Sequence, residues 1–177
     1  MSSYAIAYWS MPADAAREFF DGIIRELAIR FGAPPFEPHL TLFIAPEASR
    51  APREVLGEIP SPDLVLTARE IGWGEKFTET LFVRFERNQR LLDLVEAIRK
   101  SSGGSEQYHI DPHLSLIYKK LPAKTKHALA EETQLPFAEV PFKGIRAIRC
   151  KSPTKTADDV RQWKLLATQN STIRKGA

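Results

Sequence analysis

Short apolar segments alternate along the chain with longer segments in which apolar residues recur every three or four positions. The short segments are rich in aromatic and β-branched residues and predict strands, whereas the longer ones predict amphipathic helices. Strands are predicted over residues 4–9, 40–44, 63–72, 80–87, 113–118, 139–150 and 162–168. Helices are predicted over residues 11–31, 51–58, 89–100 and 122–133, and residues 171–177 are predicted to fray.

The two halves of the chain repeat the same order: a strand, a helix, a strand that begins with Pro-His, a short helix and a strand. PHLTL at residues 38–42 mirrors PHLSL at residues 112–116. This repeat predicts two similar lobes, roughly residues 1–75 and 76–170, related by a pseudo-twofold axis within one domain. Strands can be exchanged between the lobes. The two Pro-His strands are expected to face each other across a groove.

Each Pro-His strand presents an imidazole and a hydroxyl on the same face, because successive side chains of a strand point to opposite faces. These pairs are His39 with Thr41 and His113 with Ser115. Two imidazoles can serve as general base and general acid near neutral pH. Two hydroxyls can donate hydrogen bonds to an oxyanion between them, and the symmetry predicts similar contributions from both. Such a set suits attack of water on phosphorus and requires no metal.

At these residues the chain resembles the 2H phosphoesterases, a family named for two His-x-Thr/Ser motifs that are each followed by a hydrophobic residue. The resemblance spans nearly the whole chain. The second motif, from His113 to Tyr118, looks like that of the plant and yeast cyclic phosphodiesterases. In those enzymes the tyrosine five positions after the histidine lies at the active site. Strict alternation places Tyr118 on the opposite face, so a bulge or a strand end is needed to bring it inward.

The resemblance implies an α+β fold in which two antiparallel sheets form a central cleft, with helices outside. It also implies metal-independent opening of a cyclic phosphodiester on a ribose, without any cofactor. The substrate would be a 2′,3′-cyclic nucleotide, ADP-ribose 1″,2″-cyclic phosphate or an RNA 2′,3′-cyclic end. Neither the resemblance nor the residues rank these substrates, and neither assigns the base and the acid.

Four further residues are candidates for substrate binding. Phe43 shares a face with the first motif if the strand alternates regularly. Trp73, between two glycines, could stack on a base. Phe82 and Arg84 share a face of one strand, and Arg84 could bind phosphate.

Two alternatives remain open. His109, Asp111 and His113 alternate on one face if this segment is extended, so they could bind a divalent metal in a metal-dependent phosphohydrolase. A nucleotide-binding module that retained the cleft without turnover is the other alternative. The intact pair of motifs favours an enzyme, because binding alone does not need both imidazoles.

The composition changes this picture little. Lys and Arg number 25 against 22 for Asp and Glu, a formal net charge of +3 that is far below that of a nucleic-acid-coating protein. The single cysteine, Cys150, excludes an intramolecular disulfide and a cysteine-rich zinc site. The first ten residues do not resemble a signal peptide, and no apolar stretch is long enough to span a bilayer. A monomeric cytoplasmic protein is expected.

Overall fold

A computed structural model of the chain describes residues 3–60 and 62–170, and the predicted C-terminal tail lies outside the described residues. The strands are β1 (Ser3–Pro12), β2 (Leu40–Pro46), β3 (Leu64–Trp73), β4 (Leu81–Phe85), β5 (His113–Ile117), β6 (Glu139–Ser152) and β7 (Lys164–Gln169). The helices are α1 (Asp14–Phe31), α2 (Pro52–Gly57), α3 (Gln89–Ser101), α4 (Ala123–Glu132) and α5 (Ala157–Arg161). The fold is therefore α+β, as the resemblance implied.

The largest deviation from the predicted elements occurs at the start of α1. The prediction began this helix at residue 11, but α1 begins at Asp14. Ser10 and Pro12 instead extend β1, where they pair with Ile145 and Phe142 of β6. Pairing with β6 therefore keeps residues 10–12 in the strand and delays the start of the helix. A 3-10 turn at residues 77–79 and helix α5 were not predicted.

The strands form one antiparallel sheet in the order β1-β2-β5-β4-β3-β6-β7, and β6 pairs with β1 as well. Strand β6 pairs with β3 through its first residues and with β1 along most of its length. The later part of β6 lies between β1 and β7, with β2 beyond β1, whereas its first residues pair with β3, beyond which lie β4 and β5. Strand β3, from the first half of the chain, thus lies with β4 and β5 of the second.

The two faces of the sheet have different roles. One face packs against the helices and forms the main core, which includes Tyr8, Phe20 and Leu91. On β1, alternation sends Ala7 and Trp9 to the opposite face, where a second small cluster also contains Cys150. The opposite face is therefore the one available for a site. Within the described ranges, no helix has the length and hydropathy needed to cross a membrane.

The connection from α1 to β2 places the first motif. Helix α1 ends at Gly32, whose φ of 62° is the left-handed conformation that glycine adopts without strain. The side-chain amine of Lys119, just after β5, donates a hydrogen bond to the carbonyl of Phe31. Prolines at positions 34, 35 and 38 then keep the chain from continuing as a helix. The end of α1 is thereby tied to the end of β5, and the chain enters β2 beside it.

Candidate active site

A cavity of about 410 Å³ opens on the sheet face away from the main core, where β2 and β5 begin. It is lined by both motif histidines, both motif hydroxyls and the tyrosine that follows the second motif: His39, Thr41, His113, Ser115 and Tyr118. The structure therefore brings together the five residues on which the sequence-based mechanism depended.

The two motif strands are neighbours within one sheet, not opposite walls of a groove as predicted. Leu40 of β2 pairs with Leu114 of β5 in antiparallel register. Continuing that register by one residue in each direction places His39 beside Ser115 and Thr41 beside His113. Each imidazole therefore has the hydroxyl of the other motif as its lateral neighbour. The two motifs are therefore related by the local twofold axis of an antiparallel strand pair. The prediction had placed them on the two sides of a groove.

His39 is enclosed by aromatic rings. Its side chain stacks on Trp9 with ring centroids 3.6 Å apart, and Trp163 meets it edge-on at 5.7 Å. Only 5% of its surface is exposed. Burial lowers the pKa of His39 to about 4, the backbone carbonyl of Glu37 acts in the opposite direction, and the charge of His113 adds a further lowering. His39 is therefore neutral at pH 7 in the free protein.

The ring orientation of both histidines is fixed in the same way. Nδ1 of His39 lies 2.7 Å from the carbonyl oxygen of Glu37, and Nδ1 of His113 lies 2.8 Å from that of Asp111. A carbonyl oxygen can only accept, so in each case Nδ1 carries the hydrogen. The neutral ring then has its lone pair on Nε2. Both rings present the nitrogen that exchanges protons on the side away from their own backbone.

The acidic residues that precede each Pro-His are held by arginines from neighbouring strands. The Glu37 carboxylate pairs with Arg146 of β6, and the Asp111 carboxylate lies 3.5 Å from Arg84 of β4. Arg84 also lies 3.8 Å from Glu70. Arg84 is not among the residues that line the cavity. Arg84 is the register partner of His113, and two carboxylates lie beside its guanidinium, so its predicted contact with phosphate stays a prediction.

Phe82 supports His113 from the adjacent strand. The two rings meet at 5.5 Å, and Phe82 is 5% exposed without lining the cavity. A methyl group at Gly72 would lie 2.6 Å from the Phe82 ring, so the absence of a side chain at Gly72 makes room for this ring. Phe82 was predicted to contact substrate. It packs against the edge of the histidine ring instead.

The two motif hydroxyls are not equivalent. The hydroxyl of Ser115 donates a hydrogen bond to the carbonyl of Thr78 at 2.6 Å. Among the described residues, no group is bonded to the hydroxyl of Thr41. In the free protein Thr41 can therefore donate to a ligand at once. Ser115 has to give up an existing hydrogen bond first.

Tyr118 reaches the cavity because β5 ends at Ile117, which releases the next residue from strict alternation. Its ring stacks on Phe36 at 4.1 Å, and its hydroxyl lies 3.3 Å from Nε2 of His39. Burial raises the pKa of Tyr118, and the neighbouring Ser115 side chain acts in the opposite direction to a smaller extent. The hydroxyl therefore stays protonated and donates to His39. The strand end that the sequence analysis required is present.

Phe43 and Trp73 lie elsewhere than predicted. A bulge between the pairs Tyr8–Phe43 and Trp9–Thr41 breaks the alternation of β2, so Phe43 packs into the main core and Ile44 lines the cavity. Trp73, at the end of β3, lies under the side-chain amine of Lys126 at 5.1 Å. Neither residue lines the cavity.

Most charged groups at the cavity have an opposite charge beside them. Lys76 pairs with Glu79 at 2.9 Å, and Lys151 pairs with Asp159 at 2.8 Å. Within residues 3–60 and 62–170, no three or more histidine, cysteine, aspartate or glutamate side chains are grouped as a metal ion would require. His109 is exposed and does not line the cavity.

Sequence reasoning missed two tryptophans and a backbone carbonyl. Trp9 and Trp163 surround His39, and the carbonyl of Thr78 holds Ser115. The sequence predicts that Trp9 lies in the first strand. It does not predict that this strand pairs with β2, which is what brings Trp9 to His39. Trp163 lies between α5 and β7, far from both motifs in the sequence, and a backbone carbonyl leaves no trace in residue types.

The fold is shared with several proteins of known structure. LigT of E. coli, in its complex with 3′-AMP, has a TM-score of 0.59 at 16% identity, with 97% of this chain and 99% of LigT covered. TT0787 of Thermus thermophilus has a TM-score of 0.58 at 16% identity, with 94% and 97% covered. No family model matches the sequence, and no curated protein matches it by sequence. The chain therefore has the LigT-like fold, and the resemblance to the plant and yeast branch of the 2H phosphoesterases stays a prediction.

Lowering the pH from 7 to 5 should destabilise the wild-type protein more than the His39→Gln variant. The pKa of His39 is about 4 in the folded protein against an ordinary 6.5, so between these values only the unfolded chain takes up the proton. The stability associated with neutral His39 is thus complete above pH 6.5 and is lost as the pH falls toward 4. Linkage gives an extra loss of about 2 kcal/mol between pH 7 and 5.

Urea denaturation of both proteins at the two pH values measures this difference. His127→Gln is the matched control, because His127 is exposed on α4 and should behave as the wild type. Equal losses in the wild type and in His39→Gln would show that His39 is not a buried neutral imidazole.

Proposed function

We propose that the protein is a cyclic phosphodiesterase that opens a cyclic phosphodiester on the ribose of a small nucleotide or an RNA end. The supporting observation is the arrangement of His39 and His113. Both rings carry their hydrogen on Nδ1, present Nε2 and line one cavity. Each ring also has a hydroxyl of the other motif beside it. This arrangement supplies a proton acceptor, a proton donor and hydrogen-bond donors for the phosphoryl oxygens from side chains alone.

The unequal burial of the histidines supports a division of roles. His39 is neutral in the free protein, so it acts as the general base that removes a proton from the attacking water. The hydroxyl of Tyr118, 3.3 Å from Nε2, keeps that nitrogen an acceptor until water replaces it. His113 is more exposed and acts as the general acid. Its Nε2 gives a proton to the ribose oxygen that leaves phosphorus as the P–O bond of the ring breaks.

The wall of the cavity supports a nucleotide substrate. Trp9, Trp163, Tyr108 and Ile44 line it, and the last two remain about two-fifths exposed although they are large and apolar. Exposed apolar side chains at a concave site favour an apolar or planar ligand group such as a base. Structures of E. coli LigT with 3′-AMP, with ATP and with NADP⁺ show that this fold accommodates nucleotides in that protein.

A substrate panel with product identification by phosphorus NMR tests the activity. The panel contains the four 2′,3′-cyclic mononucleotides, ADP-ribose 1″,2″-cyclic phosphate and an oligonucleotide with a 2′,3′-cyclic end. Each of His39→Gln and His113→Gln should lower kcat about 10²- to 10⁴-fold, as expected when one general acid or base is lost. Both variants should remain folded by circular dichroism. Binding of these compounds without turnover by the wild type would overturn the enzyme assignment in favour of a binding module.

The pH dependence of kcat/KM tests the roles of the two histidines. Because the pKa of His39 is about 4 in the free protein, the acidic limb should lie near pH 4, far below where two ordinary imidazoles would place it. His127→Gln, which changes an exposed histidine, should leave this limb in place. An acidic limb centred near 6.5, the ordinary histidine value, would contradict the assignment of His39 as the base.

The hydroxyls should contribute unequally, in contrast to the equal roles that the sequence symmetry predicts. Thr41→Val should lower kcat about 100-fold, within the range for loss of one preorganised donor. Ser115→Ala should lower it only about 10-fold, because the Ser115 hydroxyl is already bonded to Thr78 and must break that bond to reach a phosphoryl oxygen. Steady-state kinetics separate kcat from KM in both variants. A larger effect of Ser115→Ala would mean that the hydroxyl leaves Thr78 at no cost.

A further inference from the structure

A buried amine on α4 has no part in the proposed chemistry, yet it lies next to the segment that covers the site. Lys126 is 2% exposed and is among the largest fully buried side chains. Its Nζ donates to the carbonyl of Gly74 at 2.8 Å and to the carboxylate of Glu75 at 2.7 Å. It also lies 5.1 Å from the centre of the Trp73 ring. All three partners are consecutive residues at the end of β3.

The local structure of α4 gives no reason for a lysine at this position. Lys126 lies in the first turns of the helix, where its backbone N–H bonds to the carbonyl of Pro122. A positive charge near a helix N-terminus is unfavourable with respect to the helix dipole. Burial of the amine is costly as well unless it is paired and hydrogen-bonded. Both costs are offset only by the contacts with residues 73–75, so Lys126 is placed for those contacts.

Those contacts fix one end of the loop between β3 and β4. At its other end, the backbone N–H of Gly74 points to the carbonyl of Thr80 at 3.4 Å. The Thr80 hydroxyl bonds to the carbonyls of Lys76 and Phe77 at 3.2 and 3.3 Å, which closes the 3-10 turn. The loop is therefore a small closed unit whose attachment to α4 is Lys126.

The same loop forms part of the cavity wall. Lys76, Thr78 and Glu79 line the cavity, and the carbonyl of Thr78 accepts the hydroxyl hydrogen of Ser115 at 2.6 Å. A displacement of the loop would therefore move the partner of Ser115. It would not move Thr41, which lies on β2 beside β1.

We propose that Lys126 is a positioning residue that holds the β3–β4 loop against α4 and thereby sets where the Ser115 hydroxyl lies in the cavity. The consequence for turnover rests on the proposed cyclic phosphodiesterase function. The claim that Lys126 orders residues 74–80 is independent of that function. Lys126 thus acts on one hydroxyl of the symmetric pair and leaves the other unaffected.

A double-mutant cycle tests the route through Ser115. Lys126→Met keeps the aliphatic stem and removes the amine, and it should lower kcat/KM about 10-fold with the preferred cyclic nucleotide. In that background Ser115→Ala should cost less than about 3-fold, because a displaced Thr78 no longer holds the Ser115 oxygen in place, whereas in the wild type the substrate has only to redirect its hydrogen. Thr41→Val should keep its full effect of about 100-fold. Lys124→Met, which changes an exposed lysine of the same helix, is the matched control and should show no effect. An undiminished Ser115→Ala effect would overturn the proposal.

Hydrogen exchange separates failure of this proposal from failure of the proposed function. Lys126→Met should speed exchange of the Gly74 and Glu79 amides, which bond within the loop, while the amides of α1 stay protected. This readout needs no turnover, so it decides the positioning claim even if every cyclic substrate is inert. Should Lys126→Met fail to fold, Glu75→Gln removes one partner of the amine from the exposed side and should speed the same amides. Unchanged exchange in the variant that folds would overturn the claim.

Discussion

One antiparallel contact, between Leu40 of β2 and Leu114 of β5, sets the geometry on which the whole cavity depends. Both leucines are completely buried in the main core, which fixes the face that each strand turns toward the helices. Since side chains alternate, the residues on either side of each leucine must face away from that core. A slip of one residue in either strand would turn the imidazoles and hydroxyls into the apolar core, so the register is strongly specified. The local twofold axis at this pair relates the two motif strands, and it corresponds to the repeat of PHLTL and PHLSL in the sequence.

The strands on either side of this pair break the symmetry. Strand β1 lies beside β2 and contributes Trp9, which stacks on His39 and removes it from water. Strand β4 lies beside β5 and contributes Phe82 at the edge of His113 and Arg84 beside it, and that imidazole stays partly exposed. The histidines of the two motifs thereby lie in different environments, one buried and one partly exposed. A single reaction that needs a base and an acid benefits from this difference, because equal environments would not assign the two roles.

The residues that could be predicted from the sequence are those whose placement follows from the motif itself. Alternation along a short strand was enough to bring His39, Thr41, His113 and Ser115 to one face. Alternation failed for Phe43, because a bulge is decided by the pairing with β1 and leaves no local mark. The placement of Arg84 and Trp73 depended on partners far away in the sequence, Asp111 and Lys126, which only the folded chain brings near. The fold class followed from the resemblance, whereas the pairing of the two motif strands within one sheet required the structure.

The charges near the cavity indicate how an anionic phosphodiester would be met. Arg84 and Arg146 are occupied by the carboxylates that precede each Pro-His, and Lys76 and Lys151 have carboxylate partners of their own. Recognition of phosphate would therefore rely on neutral donors, such as the hydroxyl of Thr41, beside a His39 ring that the tryptophans bury. In such surroundings a bound negative charge raises the proton affinity of a nearby imidazole. His39 is neutral in the free protein and would become a stronger base once the substrate lies beside it, so that the substrate itself would complete the catalytic site.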